Sequence, residues 1–185
     1  MKRRVFLAAP LAASSLLTAA QELVRDEPRK AFKVPKGKAR LGERLHILGG
    51  TFDCKVSAKD TNGQLCIFDT LRTNPGGPPL HFHEDQDEWF YVVRGEFKIQ
   101  VGAEVFQLKE GDSAFGPRKI PHSFAKTSEG EAQLMVMFQP AGTMEAFFQQ
   151  REALERETDP TKKEAGLKVL WDQHGMKVVG PPIKI

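Results

Sequence analysis

The sequence predicts an all-β domain, a closed or double-sheet jelly roll, followed by two short helices. Three observations carry this. From about Leu45 to Gln139, short β-rich runs alternate with turn signals. No helical segment interrupts them, which argues against a parallel α/β sheet. After Pro140-Ala141-Gly142 the apolar period changes to that of a helix. A jelly roll is the natural way to bury so many strand edges.

The candidate strands begin with Leu45–Gly49, Thr51–Ala58 and Leu65–Leu71. Next come Leu80–His83, Glu88–Val93, Phe97–Val101 and Val105–Leu108. Ser113–Phe115, His122–Lys126 and Ala132–Gln139 complete the set. Asn62-Gly63 is a two-residue hairpin signal between the second and third strands, and Gly102-Ala103 turns another. Phe97, Ile99 and Val101 alternate with Lys98 and Gln100, so one face of that strand is buried. In the tail, Met144, Phe147, Phe148, Arg151 and Leu154 share a helical face behind a Thr143 cap. Asp159-Pro160 opens a second helix through Leu167, Leu170 and Trp171, which Gly175 stops. Met176 to Ile185 reads as extended. The tail is read as covering barrel surface; a lid over the central pocket or a homodimer contact is the sharper alternative.

The chain has 185 residues, a size for one domain with tails. Of its 27 basic side chains, Lys2, Arg3 and Arg4 are the only charges among the first 20 residues, and the remaining 24 balance 24 acidic ones. Nothing in that balance suits nucleic acid. A basic patch, an apolar run from Val5 to Ala20 and Thr18-Ala19-Ala20 describe an export signal over residues 1–20. The run is broken by Pro10 and too short for a stable membrane span after cleavage. Arg3-Arg4-Val5-Phe6-Leu7 resembles the twin-arginine signature, which implies periplasmic export of a folded protein. Residues 21–43 read as a linker or arm, 44–140 as the barrel and 141–185 as the helical extension.

The chemistry concentrates in two stretches. In the first, Gly76-Gly77-Pro78-Pro79 leads into His81 and His83, two apart on one strand, so both imidazoles face one way. An acidic turn follows, and Glu88 opens the next strand; if that strand runs antiparallel, its carboxylate reaches back to the same point. Phe90 and Val92 share its face and are expected to line a substrate pocket, with Trp89, Tyr91 and Val93 facing a second layer or a partner subunit. The second stretch runs from Gly111 through Pro117 and Pro121, a sharp path that delivers His122 at a strand start.

Together the two stretches resemble the two motifs of the cupin superfamily. His81, His83, Glu88 and Gly95 match the first; Gly111, Pro117 and His122 match the second. The resemblance covers residues 45 to 140. It implies a double-stranded β-helix barrel in which His81, His83, Glu88 and His122 hold one divalent metal. Three positions depart from the pattern: the four-residue spacing from Gly76 to His81, Lys119 in place of a usual glycine, and Lys126 in place of a frequent asparagine. None removes a ligand.

Three imidazoles and a carboxylate suit Fe, Mn, Co, Ni, Cu or Zn. Folding before export would let the cytoplasm choose, which favours Fe or Mn. Within the superfamily the run Asp87 to Tyr91 is most similar to small quercetinase-like members. These use dioxygen on aromatic enols, and the likeness assigns Glu88 as ligand and general base. A sugar isomerase or epimerase, or a binding cupin without turnover, are the alternatives. His46 and His174 read as surface or packing residues, and Cys54 and Cys66 as two buried thiols out of register for a disulfide.

Overall fold

The computed structural model describes residues 30–185. The proposed export signal lies outside the described residues. Phe32–Ile185 form a single unit. Eleven strands make two antiparallel sheets, in the double-sheet arrangement of a jelly roll. In chain order they are β1 (Leu45–Ile47), β2 (Gly50–Val56), β3 (Cys66–Arg72), β4 (Pro79–His83) and β5 (Asp87–Arg94). There follow β6 (Glu96–Val101), β7 (Glu104–Lys109), β8 (Ser113–Gly116), β9 (His122–Lys126) and β10 (Ala132–Gln139). The helices α1 (Met144–Glu155) and α2 (Pro160–Gln173) precede the last strand, β11 (Met176–Pro182). One sheet has the order β1-β2-β3-β10-β5-β8 and the other β11-β4-β9-β6-β7.

β10 shows why this sequence builds a two-layered barrel. Ala132, Leu134, Val136 and Phe138 alternate with half-exposed neighbours, and the apolar set is buried. The strand hydrogen-bonds to β3 on one side and β5 on the other, so it is central in its sheet. Phe68, Phe90, Val92, Phe97, Ile99 and Leu134 are wholly buried between the layers. Each such side chain contributes about 1.5–3 kcal/mol over an exposed one.

Three local expectations are corrected. Asn62-Gly63 does not close a two-residue hairpin. Ser57 instead caps a 3-10 turn over Ala58–Thr61, accepting from the Lys59 amide while Asp60 accepts from the Ser57 amide. Asn62 and Gly63 take left-handed backbone after that turn. Cys54 therefore pairs with Phe68, and both cysteines are buried free thiols. Second, Thr143 precedes α1 without capping it, because its hydroxyl is bound to His174 Nδ1 at 2.7 Å. Third, the chain end is a strand: β11 pairs with β4 and closes the edge of the ligand-bearing sheet. Its Pro181-Pro182 disguised it, since proline sits at sheet edges without donating to the ladder.

The helices form as their signals indicate. Asp159 accepts from the amides of Thr161 and Lys162, Pro160 takes the first position of α2, and Gly175 adopts φ +70° past its end. α1 buries Met144, Phe147, Phe148 and Arg151. The Phe148 ring stands 4.9 Å from that of Phe52 and 4.7 Å from that of Phe68. Trp171 of α2 packs on Phe147 at 5.1 Å. This helical pair covers one end of the barrel. No described helix is long and apolar enough to cross a membrane.

Candidate metal centre

The sheet pairing decides where the ligands meet. β4 runs antiparallel to β9 with His81 opposite His122. His83 lies two residues on along β4, on the same buried face. Glu88 does not come from a paired neighbour of β4, as a simple hairpin would have it. β5 belongs to the other sheet, so the turn after His83 carries the chain across the sandwich and Glu88 faces the imidazoles from the opposite layer. One ligand atom from each of His81, His83, Glu88 and His122 lies within 4.8 Å of the others, and all four residues are buried.

Backbone carbonyls orient two of the rings. His81 Nδ1 donates to the Pro79 carbonyl and His122 Nδ1 to the Ile120 carbonyl, both at 2.8 Å. Each bond fixes a tautomer and turns Nε2 toward the centre. The path that delivers His122 is tied to the other ligands: Lys119, at φ +64°, donates its amide to the His83 carbonyl at 2.7 Å. Gly77 is pressed so closely on β9 that a Cβ there would stand 1.6 Å from the Phe124 carbonyl oxygen.

The electrostatics suit a cation. Burial, with the His122 and His83 rings alongside, pushes the His81 imidazole down to about 3, so it is neutral at ordinary pH. Burial alone would raise the Glu88 carboxyl, yet His122 and His83 together hold it well below the usual range. Glu88 Oε2 is 2.8 Å from His122 Nε2 and 3.3 Å from His83 Nε2. Burial likewise disfavours a charged His122, and Glu88 overcomes it, raising the His122 pKa. Beyond that 3.3 Å approach to Glu88, neither nitrogen of the buried His83 ring makes a well-aligned hydrogen bond among the described residues. An imidazole left so is costly unless something else takes its lone pair. Three imidazoles around one carboxylate fit one divalent transition ion, and none of the four donors discriminates among such ions.

A cavity of about 50 Å³ adjoins the cluster. His81, His83 and Glu88 border it, and its remaining wall is apolar or aromatic except for Arg151. Phe90 and Val92 do not line it. They share the inward face of β5 with Glu88, but that strand descends from the cavity by about 3.3 Å per residue. Both are fully buried in the core below, where the Phe90 ring abuts His122 at 6.1 Å. The wall they were expected to supply comes from α1, α2 and β11 through Phe147, Phe148, Trp171 and Met176. Trp171 stands 4.7 Å from the His81 ring. Sequence reasoning saw that these residues share helical faces, but nothing local says what a face covers. Arg151 had one available signal, a charge inside an apolar stripe.

Of the other histidines, His174 is buried in packing, and the His46 amide donates to Glu152. Trp89 and Tyr91 stack at 5.6 Å on the face of β5 away from the core.

The fold and the convergent ligands define a cupin-type β-barrel whose His₃Glu cluster could bind one metal. Residues 70–138 match the family described as Cupin domain, and with the topology this supports the cupin superfamily. The chain is 36% identical over 61 residues to an uncharacterized protein of Aquifex aeolicus, covering 33% of this chain and 50% of that one. An uncharacterized protein of Streptomyces coelicolor is 36% identical over 55 residues, covering 30% and 51% respectively. The chain thus spans about half the length of the curated relatives it matches. Among solved structures, an RmlC-like cupin from Shewanella frigidimarina is 24% identical with a TM-score of 0.49, covering 60% of this chain and 92% of that one.

Proposed function

We propose that this protein is a mononuclear metal-dependent dioxygenase, quercetinase-like, acting on a small aromatic or enol substrate. The observation that carries the reading is the dry wall beside the four ligands. Apart from the ligands, Arg151 is the one charged group lining the cavity. A sugar bound there would leave most of its hydroxyls without partners, at about 1–3 kcal/mol each. A flat, apolar enol would not.

His81, His83, Glu88 and His122 would hold the ion. When bound, it supplies a Lewis acid that lowers the pKa of a substrate hydroxyl. Glu88 is the base of this scheme. Its Oε2 is turned to the imidazoles, whereas Oε1 accepts no hydrogen bond among the described residues. That oxygen takes the hydroxyl proton. Trp171 and Phe147 hold the apolar part of the substrate and exclude water. Ligand sites usually enclose about 300–1,000 Å³, so α1 and α2 move outward to admit an aromatic ring. The small resting cavity also favours a second reading, a cupin that captures a small ligand without turnover.

Iron or manganese is the proposed ion. The twin-arginine-like signal supports it, because a chain folded before export takes its metal in the cytoplasm. The proposal includes a periplasmic location, no nucleic-acid partner, and a homodimer. Elemental analysis of protein from its native compartment should find about one Fe or Mn per chain. Oxygen uptake with a flavonol and enol panel should then show turnover. Copper or zinc refutes the metal assignment. No uptake with a correctly loaded protein refutes the dioxygenase.

A further inference from the structure

The barrel interior holds more positive charge than its partners explain. Arg72, on the inward face of β3, is among the largest fully buried side chains, at 1% exposure. Among the described residues it has no ion pair, and its Nε and Nη1 have no hydrogen-bond partner. Its guanidinium sits 5.9 Å from the Phe52 ring and 5.7 Å from the Phe124 ring. Both rings are among the residues that line the cavity, so the charge stands behind part of its wall. Burial lowers the Arg72 pKa only to about 10, and it stays protonated at neutral pH. Leaving such a charge uncompensated is normally strongly destabilising.

Arg151 is a second buried cation, and it has one ion-pair partner, Glu155. It lies on the cavity wall itself at 7% exposure. Its Nη1 is 2.8 Å from Glu155 Oε1 but out of line for a hydrogen bond. Glu155 is already shared: Lys163 holds its Oε2 and the Leu48 amide its Oε1. Two cations thus divide one carboxylate, and Arg151 borders the cavity, as does the ligand cluster's one carboxylate, Glu88.

We propose that the occupant of this cavity is an organic anion, an enol that also carries a carboxylate, whose charged group pairs with Arg151 in the field of Arg72. The inference rests on reading the cavity as the substrate pocket and names the substrate's charge. Two buried cations, one incompletely paired and one without an ion pair among the described residues, become a binding device. An uncharged enol is then the poorer ligand, and the anionic group fixes which end of the substrate points away from Glu88. Guanidinium–carboxylate pairing inside a low-dielectric wall is the strong form of such a contact.

The test needs no metal. Metal-stripped full-length protein is titrated calorimetrically with propionate and with propionamide, which match in shape and differ in charge. Propionate should bind about tenfold tighter. In Arg151→Gln the preference should fall to about twofold or less. In Arg72→Met propionate should bind about threefold more weakly while Tm rises, because an unpaired buried charge has been removed. A merely structural Arg72 would lower Tm and leave the preference intact. Should Arg151→Gln not fold, Glu155→Gln decides: freeing Arg151 should tighten propionate about threefold. Equal binding of the two ligands, an undiminished preference in Arg151→Gln, or unchanged or weaker propionate binding in Glu155→Gln overturns the inference. Dioxygen uptake is a separate measurement. Charge preference without uptake defeats only the dioxygenase, and uptake without charge preference defeats only the anion.

Discussion

The four candidate ligands sit on three strands, whereas much of the surface that closes over them comes from two helices and the last strand. The two regions are held by different physics. On the strand side, backbone pairing sets each position: His81 is opposite His122, and Lys119 is bonded to His83. A shift of one residue would turn every ligand out of the barrel. On the cover, α1 and α2 are placed by side chains, chiefly Phe147, Phe148 and Trp171 against the barrel and each other. The two helices, unlike β11, can shift without undoing a ladder. The difference teaches that the centre is fixed by backbone pairing and its helical roof by side-chain contacts.

The largest effect should come from the strand side. His83→Ala removes the one ligand ring with neither nitrogen in a well-aligned hydrogen bond. Metal content should fall from about one ion per chain to nearly none, by elemental analysis, with little loss of fold. Retention of the ion would dissolve the distinction, because the centre would not depend on its strands.

Next is Trp171→Ala. Losing a buried indole should cost about 3–5 kcal/mol in denaturant unfolding. The metal should nevertheless remain, since Trp171 touches the His81 ring without holding it in place. Loss of the ion would show that the roof is part of the centre. Gly77→Ala attacks the same fold from the strand side. Its Cβ has no room before the Phe124 carbonyl, so β9 must shift and stability should drop by about 3 kcal/mol. Because His122 is two residues from Phe124 on that strand, metal should be lost as well.

How much of this was legible in the sequence follows the same division. The ten barrel strands announce themselves as short β-rich runs between turn signals, some with clear alternation, and His81 and His83 share a face because strand period is fixed. What the alternation cannot supply is depth. Phe90 and Val92 are on the right face yet too far along β5 to reach the cavity. Nor can it supply which sheet a strand joins: Glu88 opens the next strand, as its position indicates, but faces the histidines across the sandwich. The helical stripes were readable, but their target is a long-range matter. The same holds for β11, whose partner lies over 90 residues earlier and whose prolines mask it.

Two smaller changes should move stability in opposite directions. Asp159→Ala removes the cap that accepts from Thr161 and Lys162, costing about 1 kcal/mol and loosening α2 alone. Amide exchange should quicken in the first turn of α2 and stay unchanged in β4 and β9.

Lys119→Gly acts on the strand side with the opposite sign. Lys119 holds φ +64°, where a Cβ is strained and glycine is at ease. Its amide, which glycine keeps, carries the bond to the His83 carbonyl. The native backbone is therefore relieved of strain without losing a contact, and the gain should be about 0.5–1 kcal/mol after glycine's extra unfolded-state entropy is set against it. Thermal unfolding of the metal-free protein measures this directly. A lower Tm would mean that the lysine side chain, and not the backbone of its turn, holds His122 in position.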